Sequence, residues 1–122
     1  MTGEIQEAGA NYGSSLLTVD LDAIAANYRL LAGQARPAVA AAAIKADAYG
    51  LGVAQVSRTL WAAGCRDFFV ATLDEGIELR NLLGQARITV LNGLIAGEPA
   101  LFREHVLMPA LNDLGQVDAW RT

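Results

Sequence analysis

Ala38-Val39-Ala40-Ala41-Ala42-Ala43-Ile44-Lys45-Ala46-Asp47-Ala48-Tyr49-Gly50-Leu51-Gly52 is an apolar run of small residues that stops at a charge and runs into two glycines. Lysine prefers water, and its pKa falls when it is desolvated. A lysine closing an apolar segment just before a Gly-rich turn therefore fits two readings. It can mark the end of a core strand by reaching into solvent, which position alone favours because lysine stems commonly lie along apolar surface. It can also be an amine tuned to attack a carbonyl near neutral pH. Local propensity reads residues 39–46 as helix, since alanine is the best helix former.

Working outward, the flanking segments alternate in type. Residues 1–15 are polar and Gly-rich with little periodicity, the pattern of a flexible N-terminal arm. Residues 16–19 form a short strand candidate. Asp20 or Asp22 then caps an amphipathic helix over 23–34 with Ile24, Tyr28 and Leu31 on one face, ended by Arg36-Pro37. After the loop 49–52, Val53, Val56, Leu60 and Ala63 have helical spacing and Gly64 ends the helix. Residues 68–71 suit a buried strand. Residues 74–83 form a helix with Asp74 and Glu75 in its first turn and Arg80 near its end, as the helix dipole prefers, and Gly84 stops it. Residues 88–91 form the next strand, Pro99 starts another helix, and 106–111 form a strand interrupted by Pro109. Asn112-Asp113 caps a last helix toward Trp120. Strands and helices alternating at about 20 residues read as βα units with parallel strands.

Composition limits the functions available. The chain has 122 residues, one domain at most, with 53% hydrophobic residues and only 18% charged. A net charge of −4 without a basic cluster argues against nucleic acid and anionic membranes as partners. One cysteine, Cys65, excludes an internal disulfide and suits a reducing compartment; it reads as a small buried residue at a helix end. One cysteine and one histidine, His105, do not make a zinc site. The longest apolar run is too short to span a bilayer, and the N-terminus lacks the basic and apolar regions of a signal peptide.

Ile44-Lys45-Ala46-Asp47-Ala48-Tyr49-Gly50-Leu51-Gly52 resembles the pyridoxal-phosphate lysine motif of the alanine racemases. Thr18-Val19-Asp20-Leu21-Asp22-Ala23-Ile24 with Asn27, Ala71-Thr72-Leu73-Asp74-Glu75-Gly76 with Leu79-Arg80, and Ile88-Thr89-Val90-Leu91-Asn92-Gly93 resemble further segments of that family in the same order. The lysine string is the specific signal and the other three support it. Leu51 stands where many members have histidine, a change beside the site.

The resemblance implies an α/β fold: residues 16–122 as the first half of a (β/α)8 TIM-type barrel, four parallel strands with helices preceded by a short strand and helix. It assigns residues 39–46 to a strand. It implies pyridoxal phosphate on Lys45, which also moves the substrate α-proton, with Tyr49 bonding the cofactor phosphate and Leu91 lining the pocket. Gly50, Gly52 and Leu91 equally fit an ordinary turn and ordinary barrel core. The implied activity is interconversion of L- and D-alanine in the cytoplasm for cell-wall synthesis, by a homodimer. The family's second base (a tyrosine from the partner subunit), the histidine against the ring, the arginine facing the pyridine nitrogen and the phosphate cup find no match here; His105, Tyr12 and Tyr28 stand at the wrong positions. The 122 residues are thus expected to be an N-terminal fragment, inactive alone and weak in cofactor binding. The competing expectations are a non-catalytic cofactor-binding or interaction module and, less well matched after Lys45, a lysine-dependent barrel decarboxylase.

Overall fold

Asp20 begins the regular structure: its carboxylate accepts the Ala23 N–H at 2.9 Å and starts helix α1, Leu21–Ala35. Of the two aspartates expected to cap, Asp20 does so and Asp22 lies in the first turn. The computed structural model describes residues 13–122, so most of the expected arm, and Tyr12, lie outside the described residues. Ile24 and Tyr28 pack against the core, but Leu31 is 60% exposed and leaves the face assigned to it. The expected strand at 16–19 does not form. Leu16 and Leu17 are exposed, and these residues join no sheet.

The remaining elements follow in alternation: β1 (Ala42–Ala43), α2 (Lys45–Tyr49), α3 (Val53–Ala62), β2 (Asp67–Val70), α4 (Leu73–Leu82), β3 (Arg87–Val90), α5 (Pro99–Glu104), β4 (Met108–Pro109) and α6 (Leu114–Arg121). The strands form one parallel sheet in the order β1-β2-β3-β4, in which each strand pairs with the next in sequence. Phe68, Val70, Ile88 and Val90 point to one side. There they join Ile44, Leu60, Leu79, Phe102 and Leu107 in a core shared with the helices. The opposite side carries the cross-sheet row Ala43, Phe69, Thr89 and Met108, which is half-buried or exposed.

Local rules account for several boundaries. Gly64, at φ +106°, closes α3 with Cys65 N–H donating to Leu60 O and Gly64 N–H to Trp61 O. Cys65 is fully buried, as its position suggested. Asp113 caps α6 by accepting the Gln116 N–H at 2.8 Å. Pro99 opens α5. Pro109 is tolerated because Ala110 N–H, one residue on, makes the bond to Val90 O at 2.9 Å, and alternation turns the proline's missing donor toward the free edge of β4.

Several boundaries depart from the sequence reading: the strand expected over 106–111 is only Met108–Pro109, because Val106 is taken into the turn that ends α5, and the first strand begins at Ala42 rather than at residue 39. Gly84 does not adopt a left-handed C-cap. Instead Arg80 reaches back, its Nη1 facing the carbonyls of Leu83, Gly84 and Ala86 at 3.3, 2.9 and 2.8 Å. The strand expected to run to Ala46 stops sooner. Its last sheet bond is Ile44 N–H to Phe69 O at 2.9 Å, and from Ala46 the chain winds the other way.

Candidate active site

Ala46, Asp47, Ala48 and Tyr49 all have φ between 51° and 56°, followed by Gly50 at 84°. This is one turn of left-handed helix built almost entirely from residues with a Cβ. Each such residue costs about 1–2 kcal/mol relative to the right-handed form. Backbone strain of this kind persists only where its surroundings over-determine it. Within the turn, Gly50 N–H donates to Ala46 O at 2.9 Å and Gly52 N–H to Asp47 O at 2.9 Å. At its far end the Asp47 carboxylate accepts Val53 N–H at 2.8 Å and so caps α3 from six residues away.

At its near end the turn is held by Glu75. Oε1 of Glu75 accepts Ala46 N–H at 2.8 Å, while Oε2 accepts Ala71 N–H at 2.6 Å and Thr72 N–H at 3.2 Å. Thr72 Oγ1 in turn accepts Glu75 N–H at 3.3 Å, which completes a capping box on α4. Burial by itself would raise the Glu75 carboxyl pKa; the three N–H donors and the Lys45 charge outweigh it and hold it below the usual value.

The turn sets Lys45 and Tyr49 side by side at the C-terminal end of β1, where barrel folds carry their chemistry. Lys45 Nζ lies 6.0 Å from the centre of the Tyr49 ring. Lys45 is half-buried and Tyr49 is 62% exposed. Leu91, the third expected site residue, is partly exposed at the C-terminal end of β3, two strands from β1. Parallel strands stand about 4.8 Å apart, so the backbones of Leu91 and Lys45 share the rim two strand spacings apart. An open cleft of about 290 Å³ beside it is lined by Leu94, Ile95, Pro99, Asp113 and Gln116 and does not include Lys45. Gly93, just after Leu91, is buried at φ +75°; a side chain there would run into Gln116 Oε1 and Ala110 O, so the exits of β3 and β4 are packed backbone to backbone.

Tyr28 is engaged elsewhere, its hydroxyl donating to Ala40 O at 3.3 Å. Among the described residues no three His, Cys, Asp or Glu side chains cluster to hold a metal ion, and no helix is long and apolar enough to cross a membrane. Two features of this site escaped the reading of the sequence although signals for them were present. Thr72-Leu73-Asp74-Glu75 has the spacing of a capping box, which identifies Glu75 as more than a first-turn charge. Lys45 is also the only lysine in the chain, against eight arginines. The left-handed turn had no comparable signal beyond Gly50.

Comparison with known proteins places this geometry. The family model described as "Alanine racemase, N-terminal domain" matches residues 19–122. The chain is 47% identical over 116 residues to a catabolic alanine racemase of Agrobacterium fabrum, covering 94% of this chain and 30% of that protein. It is 51% identical over 105 residues to an alanine racemase of Acidiphilium cryptum, covering 86% of this chain and 29% of that one. Among solved structures, the alanine racemase of Bartonella henselae with covalently bound pyridoxal phosphate superposes with a TM-score of 0.82 at 36% identity, over 84% of this chain and 29% of that one. That of E. faecalis gives 0.78 at 27% identity, over 85% and 28%. The chain thus spans less than a third of the length of these relatives. Its four parallel strands alternating with helices are the first half of a TIM-type barrel, and the chain belongs to the alanine racemase family.

Proposed function

We propose that Lys45 is the cofactor-bearing and proton-moving lysine of a pyridoxal-phosphate-dependent racemase that interconverts L- and D-alanine. The observation that carries this reading is the left-handed turn, which holds the sole lysine beside Tyr49 at the C-terminal end of β1. The donor set fits pyridoxal phosphate: one primary amine for its aldehyde, and an exposed phenol for its phosphate. Tyr49 donates its O–H to that phosphate, and Leu91 lines the ring pocket from β3. When bound, the cofactor supplies an electron sink for the pair left on the substrate α-carbon. Lys45 Nζ takes or returns the α-proton on one face of that carbon, and the backbone grip at Ala46 keeps Nζ aimed at it.

Residues 16–122 act as the N-terminal half of the barrel domain. The opposite-face base, the partner subunit of a homodimer and the rest of the phosphate site belong to the remaining length of such an enzyme. Its setting is cytoplasmic, with D-alanine going to peptidoglycan. By this reading the 122 residues alone bind the cofactor weakly and do not racemise alanine.

The test is to mix the 122-residue chain with pyridoxal phosphate, reduce with borohydride and map the modified peptide. Because the chain has one lysine, the competing primary amine is the α-amino group. Label at Lys45, abolished by Lys45→Arg, is the expected result. A longer protein carrying the remaining length typical of the relatives should interconvert the alanine enantiomers while the 122 residues do not. Label on the α-amino group alone would overturn the assignment of Lys45. Label at Lys45 with no racemisation in the longer protein would favour a non-catalytic cofactor-binding module.

A further inference from the structure

A glutamate in a capping box ordinarily reaches back to the N–H of its own N-cap residue. Glu75 does so only at 3.2 Å, to Thr72 N–H. Its shorter bonds go outside its helix, 2.6 Å to Ala71 at the end of β2 and 2.8 Å to Ala46 on the left-handed turn. Oε1 serves Ala46 and Oε2 serves Ala71 and Thr72, so the two oxygens join α4, β2 and the residue next to Lys45 in one rigid link. An ionised acceptor makes these bonds stronger than neutral ones. Ala46 is where the backbone first enters the left-handed region, and its N–H belongs to the peptide that joins it to Lys45, so the grip fixes the peptide plane on the C-terminal side of Lys45 and with it the backbone from which the lysine projects.

We infer that Glu75 is a positioning residue for Lys45: its carboxylate ties Ala46 N–H to the end of β2 and thereby fixes where the lysine amine points. The inference rests on the reading of Lys45 given above. It requires a carboxylate at this position, not any acceptor. A glutamine turns an NH2 group toward either Ala46 N–H or Ala71 N–H, donor against donor, and breaks the link on one side.

The experiment compares the wild-type chain with Glu75→Gln and Thr72→Ala. Thr72→Ala removes the hydroxyl that accepts Glu75 N–H and leaves both carboxylate links in place, so it reports the loss of the helix cap alone. Two quantities are read at equal fractions folded: the exchange rate of the Ala46 amide, and the fraction of Lys45 captured by pyridoxal phosphate on borohydride reduction. In Glu75→Gln, exchange at Ala46 should rise at least about tenfold. Capture at Lys45 should fall by about tenfold, the scale of effect expected when a reacting group is displaced. Thr72→Ala should leave both within about twofold of wild type, as expected for a change confined to the cap. Capture and exchange unchanged in Glu75→Gln would overturn the inference while leaving the reading of Lys45 intact. So would an equal loss of capture in Thr72→Ala, which would reduce Glu75 to a cap. A wild-type chain that takes up no label at Lys45 would overturn that reading itself, and this inference with it.

Discussion

At the residue scale, Glu75 and Lys45 show how one charge acquires a different meaning once the chain is folded. In the sequence Glu75 is an acidic residue in the first turn of a helix, which is stabilising whatever it touches. In the structure it accepts three backbone N–H groups, from the left-handed turn, the end of β2 and the N-cap of its own helix. This makes a pH prediction. The folded-state pKa of Glu75 lies below its ordinary value of 4.5, so its contribution to stability is fully present above about that pH and is lost as pH falls through the folded value. The wild-type chain should therefore lose stability below pH ~4.5 more steeply than Glu75→Gln, the two urea midpoints converging in acid. Asp67 is also held low, by its bond to Arg87, so the comparison must be the difference between wild type and variant, in which Asp67 cancels.

At the scale of elements, the end of α5 repeats the logic of α3 with a worse residue. Leu107 N–H donates to Phe102 O at 2.8 Å and Val106 N–H to Arg103 O at 3.2 Å, the bond pair of a Schellman cap. The residue in the left-handed position is Val106, at φ 52°, where α3 has Gly64. A β-branched residue there is strained, and Val106 is 72% exposed, so little packing compensates. Val106→Gly should raise stability by about 1 kcal/mol, read as a higher urea midpoint with an unchanged slope. An unchanged or lower midpoint would mean that the side chain contributes contacts beyond the cap. The turn at 46–49 carries the same kind of strain over four consecutive residues, yet there two carboxylates, Asp47 and Glu75, hold it. Strain concentrated beside Lys45 fits a segment kept for positioning, where Val106 is a single misfit at a helix end.

At the scale of the whole molecule, Arg80 ties the second half of the chain together. Besides capping its own helix it donates from Nε to His105 O at 2.9 Å and from Nη2 to Val106 O at 2.7 Å, so one guanidinium reaches carbonyls of the segment between α4 and β3 and of the segment between α5 and β4. Arg80→Ala should cost about 2–3 kcal/mol, since charge-assisted bonds are lost and part-buried carbonyls are left without their donor. Arg80→Lys should recover only part, because a compact ammonium cannot span the same fork. Both are measurable by urea unfolding. The sheet itself is covered on one side by helices and open on the other, where Ala43, Phe69, Thr89 and Met108 form a row. Parallel sheets are normally covered on both faces, and the open face is the one that a barrel turns inward.

The sequence by itself determined the alternation of strands and helices and the helix ends at Gly64 and Pro99, narrowed the first cap to Asp20 or Asp22 and the last to Asn112-Asp113, and singled out Lys45 and Tyr49 through the string that resembles the family motif. The helix ends depend on neighbours a few positions away, whose preferences local chemistry carries, whereas local propensity alone would have made residues 39–46 a helix. Tertiary structure alone decided where the first strand ends, that residues 16–19 stay out of the sheet, and that Arg80 rather than Gly84 finishes α4. It also decided the hand of the turn after Lys45. Alanine and aspartate have no local reason to enter the left-handed region together; a carboxylate 29 residues away makes that conformation hold, and only folding brings it there.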